Sequence, residues 1–327
     1  MHSRRKIFSF VGSAVAVTAL SRRANAIDYP LRFVRIIVPF PPGGPNDVLA
    51  RTIGKRLSEL WRQGVIVENK PGANTQIGAE LVAKSSPDGY TLMVTSDTTA
   101  VINPLLYKKL RYDPARDFVA VSGIVSNYPG LFAAKSLPAT SVTELIAFAK
   151  DKPGALNFGS FGLGSSGHLF MEMFQKMAGI KLAVIHYSGS GPALTDLTAG
   201  HIQLMFTNVS TAVPLVMDGK IKLLGVGSPK RFAQLPDVPT IAESGLPAFN
   251  ARTWFAIYAP AGVPRDIIEK INGDVQHILA DTSFKTAFLD PSMFEPMRGS
   301  PSEFVAVAKA DMQKWSDIIR DAGVALD

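Results

Sequence analysis

Phe33-Val34-Arg35-Ile36-Ile37-Val38-Pro39-Phe40-Pro41-Pro42-Gly43-Gly44-Pro45-Asn46-Asp47 is the stretch on which the fold turns. Phe33 to Phe40 is rich in β-branched and aromatic side chains, which predicts a buried strand. The Pro-Pro-Gly-Gly-Pro run ends it, and Leu49, Ile53, Leu57 and Leu60 then recur at helical spacing. Strand, small-residue loop and helix in that order form the repeating unit of an α/β protein.

The same grammar continues along the chain. Val65 to Val67, Thr91 to Thr95, Leu156 to Phe158, Leu182 to His186, Ile202 to Phe206 and Lys222 to Val226 read as strands. Ile77 to Lys84 reads as a helix, and Ser141 with Glu144 forms a capping box that opens another. Phe170, Met173, Phe174 and Met177 make a core stripe at helical spacing. Arg252 to Ala259 reads as the last long strand, followed by a helix carrying Ile267, Ile271, Val275 and Ile278. Ser300-Pro301-Ser302-Glu303 caps a final helix whose Phe304, Ala308, Met312, Trp315 and Ile319 should face inward. Such alternation predicts parallel sheets with helices on both faces.

A length of 327 residues suggests two domains rather than one core. With 46% hydrophobic and 19% charged residues, the chain is neither disordered nor a polytopic membrane protein. The net charge of +7 is concentrated at the start: Met1 to Ala26 holds Arg4, Arg5, Lys6, Arg22 and Arg23 and no acid, so the remainder carries +2. No Lys/Arg stripe is left to bind nucleic acid. The absence of cysteine excludes disulfides, thiolate metal sites and a Cys nucleophile, and suits an oxidising compartment.

The first segment reads as an export address. A basic start is followed by apolar Ile7 to Leu20 and then Ala24-Asn25-Ala26, the pattern of a cleaved signal peptide over residues 1–26. The apolar run is shorter than the roughly 20 residues that span a bilayer. Arg4-Arg5 resemble a twin-arginine signal, so the mature chain is expected to start at Ile27 in a periplasm; an uncleaved anchor is the alternative.

Five Gly/Ser/Thr-rich loops lead from a strand toward a helix: Pro41–Asp47, Ser96–Ala100, Gly159–Gly167, Ser188–Pro192 and Thr207–Ala212. Amide hydrogens and the helix dipole make such junctions anion sites, and ligands of open α/β sheets sit beyond the carboxyl ends of the strands. None of these loops carries Arg or Lys, so a bound carboxylate would rest on amides, hydroxyls and bridging waters. Asp47 could cap its helix, pair with Arg51, or receive a ligand amine or water. Gly162-Leu163-Gly164-Ser165-Ser166-Gly167 formally matches a dinucleotide fingerprint, but the next strand ends His186-Tyr187-Ser188 with no carboxylate for a ribose, and no phosphate-binding G-x-x-x-x-G-K-[ST] occurs. A hydrolase elbow is missing too, since His168 breaks its pattern after Ser166. His168, His186, His201 and His277 are dispersed, without metal-ligand spacing. No catalytic residue, metal or cofactor is therefore assigned.

Several segments taken together resemble the Bug (TctC-type) family, the substrate-binding proteins of tripartite tricarboxylate transporters. They are Val38 to Gly44 with Asp47, Glu68 to Ala73, Ser86 to Thr91, Asn103 to Tyr107, Tyr112 to Pro114, Gly159 to Leu169, Gly189 to Ala193, Leu235 to Thr240 and Ala259 to Gly262. The resemblance implies a two-domain, type II-like Venus-flytrap fold. Domain one would hold residues 27–124 and 249–327, and domain two residues 125–248. It further implies a ligand carboxylate pinched between the domains by main-chain groups and bridging waters. On matching positions the binding residues would be Phe40, Gly43, Gly44 and Asp47, with Ser96 and Thr98 lining the first-domain side, and Ser160, Gly162, Gly164, Ser165 and Asn208 from the second domain.

Asn46, Ala100, His186 and Thr207 depart from the family pattern, where Thr, His, Pro and Asp are usual. Arg252 is also atypical; it could reach a second carboxylate or make an inter-domain salt bridge. The expected function is capture of a small organic mono- or dicarboxylate by a monomer, which hands it to the membrane subunits of the transporter. The alternatives are a periplasmic hydrolase on the same scaffold and a ligand-sensing partner of a sensor kinase.

Overall fold

The computed structural model describes residues 28–322, so the expected signal peptide lies outside the described residues. Eleven strands are present among them: β1 (Val34–Val38), β2 (Val65–Asn69), β3 (Thr91–Ser96), β4 (Phe118–Asn127), β5 (Pro129–Ala134), β6 (Asn157–Ser160), β7 (Ala183–His186), β8 (Leu204–Asn208), β9 (Ile221–Val226), β10 (Thr253–Pro260) and β11 (Glu295–Pro296). They form a six-stranded sheet ordered β11-β4-β10-β3-β1-β2 and a five-stranded sheet ordered β7-β6-β8-β5-β9.

Both sheets are mixed, which corrects the expectation of parallel sheets. β10 runs antiparallel to β3 and β4, and β5 runs antiparallel to β8 and β9. The cause lies in the connections. A single residue, Tyr128, separates β4 from β5, too short for a right-handed crossover within one sheet, so the chain leaves one sheet and enters the other. Because β4 runs to Asn127, this change of sheet falls at Tyr128 rather than near Ile124. The chain returns through residues 227–252 into β10, the last long strand as expected, and the two-residue β11 that follows pairs with β4.

The predicted helices form with small shifts. In helix Pro45–Trp61, Leu49, Ile53 and Leu57 are buried as expected, but Leu60 is exposed and Trp61 takes the buried place. Thr98–Ile102 and Asn103–Leu106 are helical, so the loop expected over Ser96–Ala100 is short. Thr207 lies within β8 and Val209–Met217 is a helix, which leaves no loop over Thr207–Ala212.

The last helix, Pro301–Ala322, braces the two sheets. Ser300 and Glu303 close the predicted capping box, with Glu303 Oε2 accepting the Ser300 N–H at 2.7 Å. Phe304 packs edge-on to Trp254 of β10 at 4.9 Å, while Trp315 lies 5.1 Å from Phe170 in helix Ser166–Ala178 beneath the other sheet. Met312, expected inside, is exposed, and Asp311 is buried instead. The indole N–H of Trp315 has no hydrogen-bond partner, so its contribution is packing. Trp315→Ala should therefore cost about 3–5 kcal/mol in urea unfolding and Trp315→Phe only about 1–2 kcal/mol. Equal costs for the two variants would contradict a packing role.

Candidate functional site

The strand registers gather the carboxyl ends of several strands along one edge of each sheet. β1, β3 and β4 run in one direction and end at Val38, Ser96 and Asn127, beside the start of β10, where Asn127 and Thr253 are paired. In the second sheet β6, β7 and β8 end at Ser160, His186 and Asn208, beside the start of β5, where Asn208 pairs with Pro129. Asn127, Tyr128 and Pro129 are consecutive. Every predicted loop therefore sits at one of two edges that the chain joins directly.

On the first edge, Gly43 has φ +81°, a left-handed conformation open to glycine, and its N–H donates to Asp47 Oδ2 at 2.9 Å. Arg51 Nε donates to Asp47 Oδ1 at 3.0 Å, and Asn69 Nδ2 donates to the Phe40 carbonyl at 3.1 Å. Burial opposes ionisation of Asp47, but bonds from Arg51, the Gly43 amide and Asn69 outweigh it and hold the carboxyl below its ordinary range. Asp47 thus shapes the loop: the expected pair with Arg51 is present, while its other oxygen holds the Gly43 amide and does not cap the helix. Gly44 caps the helix without a side-chain bond, and Pro45 follows at its start. Ser96 and Thr98 are nearly buried, with Ser96 Oγ accepting the Thr98 N–H at 3.3 Å.

The second edge is built around two imidazoles. Ser160 is fully buried, with its Oγ 2.7 Å from His186 Nδ1 and 3.2 Å from the Gly162 carbonyl. Gly164, at φ +72°, donates its N–H to His168 Nδ1 at 3.1 Å. Ser165 caps helix Ser166–Ala178 by accepting the His168 N–H, and Asn208 caps helix Val209–Met217 through Ser210. Glu172 lies 3.6 Å from His168 Nε2, and no carboxylate hydrogen-bonds His186 among the described residues. A Ser–His contact exists here, but the serine is enclosed and the third member of a catalytic triad is missing from it.

Between the edges, sequence reasoning missed a group. Asp97 is fully buried between Ser96 and Thr98; Thr253 Oγ1 donates to its Oδ1 at 2.8 Å, and its Oδ2 has no partner. Asn46 Oδ1 and Asn127 Oδ1 are also buried and unpartnered, so three such oxygens gather at the carboxyl edge of one sheet. Buried polar atoms of this kind are ordinarily satisfied by water or a ligand. Among the described residues no hydrogen bond or ion pair directly links the loop at 40–47 to the loop at 160–165.

Arg252 goes elsewhere. Its Nη2 donates to both carboxylate oxygens of Asp311 at 3.0 and 3.1 Å, and Trp254 Nε1 adds a bond to the same carboxylate at 2.8 Å. These residues tie β10 and its lead-in to the last helix. Arg252 lines a cavity of about 510 Å³ with Asn250, Asp311, Lys314 and Asp317, and none of the predicted binding residues reaches it. Its two acids are balanced by Arg252 and Lys314, so the lining offers an anion no net positive charge.

A family model for the tripartite tricarboxylate transporter family receptor matches residues 49–324. The chain belongs to that family. It is 33% identical to Protein BugT of Bordetella pertussis, over 98% of each chain. Its structure matches R. palustris Rpa4515 with adipate at a TM-score of 0.87 and 38% identity, covering 91% of this chain and 99% of the other. It also matches MatC (Rpa3494) from Rhodopseudomonas palustris with bound malate at a TM-score of 0.81 and 30% identity, covering 89% and 100%. The receptor fold expected from the resemblance is thus the fold found.

The buried position of Asp97 has a consequence for stability. Burial, reinforced by the charge of Asp311, pushes its carboxyl up to about 7, against the opposing Thr253 bond and Lys314 charge. The folded chain then holds a proton that the unfolded chain releases near pH 4, so stability should fall as pH rises from about 4 to about 7. Asp97→Asn should flatten that decline in denaturant titrations. Parallel pH profiles for the two proteins would contradict this.

Proposed function

We propose that this receptor captures a small organic carboxylate in the crevice between the carboxyl edges of its two sheets. The two units would be those expected from the sequence, with the first boundary moved to Tyr128. Hinge motion at Tyr128 and at residues 227–252 would close them on the ligand. The observation that carries this reading is the direct joining of two strand edges rich in small residues and helix starts. Gly43 and Gly44 on one side and Gly162 on the other keep part of their backbone exposed. Phe40, also partly exposed, would cover the apolar part of the ligand. Ser96, Thr98, Ser165 and Asn208 would act from below, and Ser160 by holding its loop. Adipate and malate in the relatives' structures support a dicarboxylate.

Family membership supports delivery to the membrane subunits of a tripartite transporter, a periplasmic location after loss of residues 1–26, and binding without covalent chemistry. Ester turnover assays would reveal a hydrolase, and capture by a sensor ectodomain would reveal a signalling role.

A thermal-shift screen over dicarboxylates tests the crevice. Near a hundredfold over Kd, binding adds about 2.7 kcal/mol, a rise of several degrees. Gly44 lies at φ −80°, and an added Cβ would meet no atom nearer than the Pro41 carbonyl at 3.8 Å. Gly44→Tyr should therefore fold, keep its unliganded Tm and lose the shift. A shift that survives this substitution would place the ligand elsewhere.

A further inference from the structure

His186 ends the edge strand β7, whose residues are all exposed, next to the Ser160 end of β6. Its Nδ1 is held by Ser160 Oγ at 2.7 Å, and its Nε2 has no hydrogen-bond partner among the described residues. The donor arithmetic of this contact is reversible. A neutral imidazole accepts the Ser160 hydroxyl proton at Nδ1. A charged one donates from Nδ1 to Ser160 Oγ, and the hydroxyl then turns to the Gly162 carbonyl 3.2 Å away. Gaining a proton costs His186 no hydrogen bond.

His168 cannot do the same. Its Nδ1 accepts the Gly164 amide proton at 3.1 Å, and a backbone N–H cannot become an acceptor. Its ring stands edge-on to His186 at 4.9 Å. The titratable and charged groups facing His186 are thus His168 and Glu172 from helix Ser166–Ala178, with Asp196 engaged nearby by the Tyr187 hydroxyl at 2.7 Å. Of these groups, His186 alone combines exposure at the crevice edge with a hydrogen-bond network that suits both charge states.

We propose that His186 is the titratable cation of the carboxylate crevice, its imidazole taking a proton from solvent when the anion binds. This rests on the crevice reading above. Without ligand, partial burial is the largest cause pushing the imidazole below its ordinary pKa. An anion close by pushes it back up, so binding and protonation strengthen each other. Affinity then rises as pH falls through the imidazole range, in a site whose loops contain no Lys or Arg.

The test is calorimetric titration with adipate, malate and succinate at about pH 6.5 and about pH 8, where both carboxyls of each acid are mainly ionised. Buffers of different ionisation enthalpy measure proton uptake. Wild type should bind roughly fivefold tighter at the lower pH, with a fractional proton taken up. His186→Asn should abolish both effects, and His186→Lys should restore tight binding at the higher pH. Binding of equal strength at both pH values, without uptake, overturns the role of His186 and leaves the crevice reading standing. A pH dependence that persists in His186→Asn overturns that role equally. Binding of none of the three acids at either pH removes the crevice reading and this inference with it. Circular dichroism of each variant checks folding, and the exposed position of His186 makes that check undemanding.

Discussion

Asn127 closes one sheet and Pro129 opens the other, so a single residue holds the two strand edges face to face. That short link dictates much else. It forces β5 to enter its sheet against the direction of β8 and β9, and the return through residues 227–252 forces β10 to run against β3 and β4. Both sheets become mixed, and the loops that begin helices all gather along one line between them. The proposed crevice lies where two such edges do not merge into a continuous sheet.

Holding an anion there without a fixed Lys or Arg has a physical logic. A permanent cation in a closing crevice would have to be desolvated on closure. Amides and hydroxyls incur a smaller desolvation cost and still favour negative charge at helix starts. Arg252, Asp311 and Lys314 tie the last helix to β10 and to the face of Phe170. Asp97 connects the two regions: it shares Thr253 with β10, and its burial raises its carboxyl while Lys314 opposes the shift. Lys314 is itself pushed down by burial against the pull of Asp311 and Asp97.

Helices and core were legible because apolar spacing alone sets them: Leu49, Ile53 and Leu57, or Phe170 and Phe174, had nowhere else to go. The errors fell at helix flanks, where one residue of phase decides burial. Leu60 yielded to Trp61, and Met312 to Asp311, because an aromatic or an ion pair at the neighbouring position satisfied the interface better. Strand direction was not legible, since antiparallel pairing arises from contacts distant in sequence. At the site, the glycine positions could be read because positive φ leaves a compositional mark. Asp97 could not, as its role depends on Thr253 and Lys314, far along the chain; its place between Ser96 and Thr98 was the available clue. The contact of Ser160 with His186 likewise joins residues on two adjacent strands.

The most direct measurement is a crystal structure grown with adipate or malate. A carboxylate should then lie against the amide of Gly44 on one side and of Gly162 on the other, with the units closed about Tyr128. A ligand found instead in the cavity beside Arg252 and Lys314, with the crevice open and filled only by solvent, would contradict capture between the sheet edges.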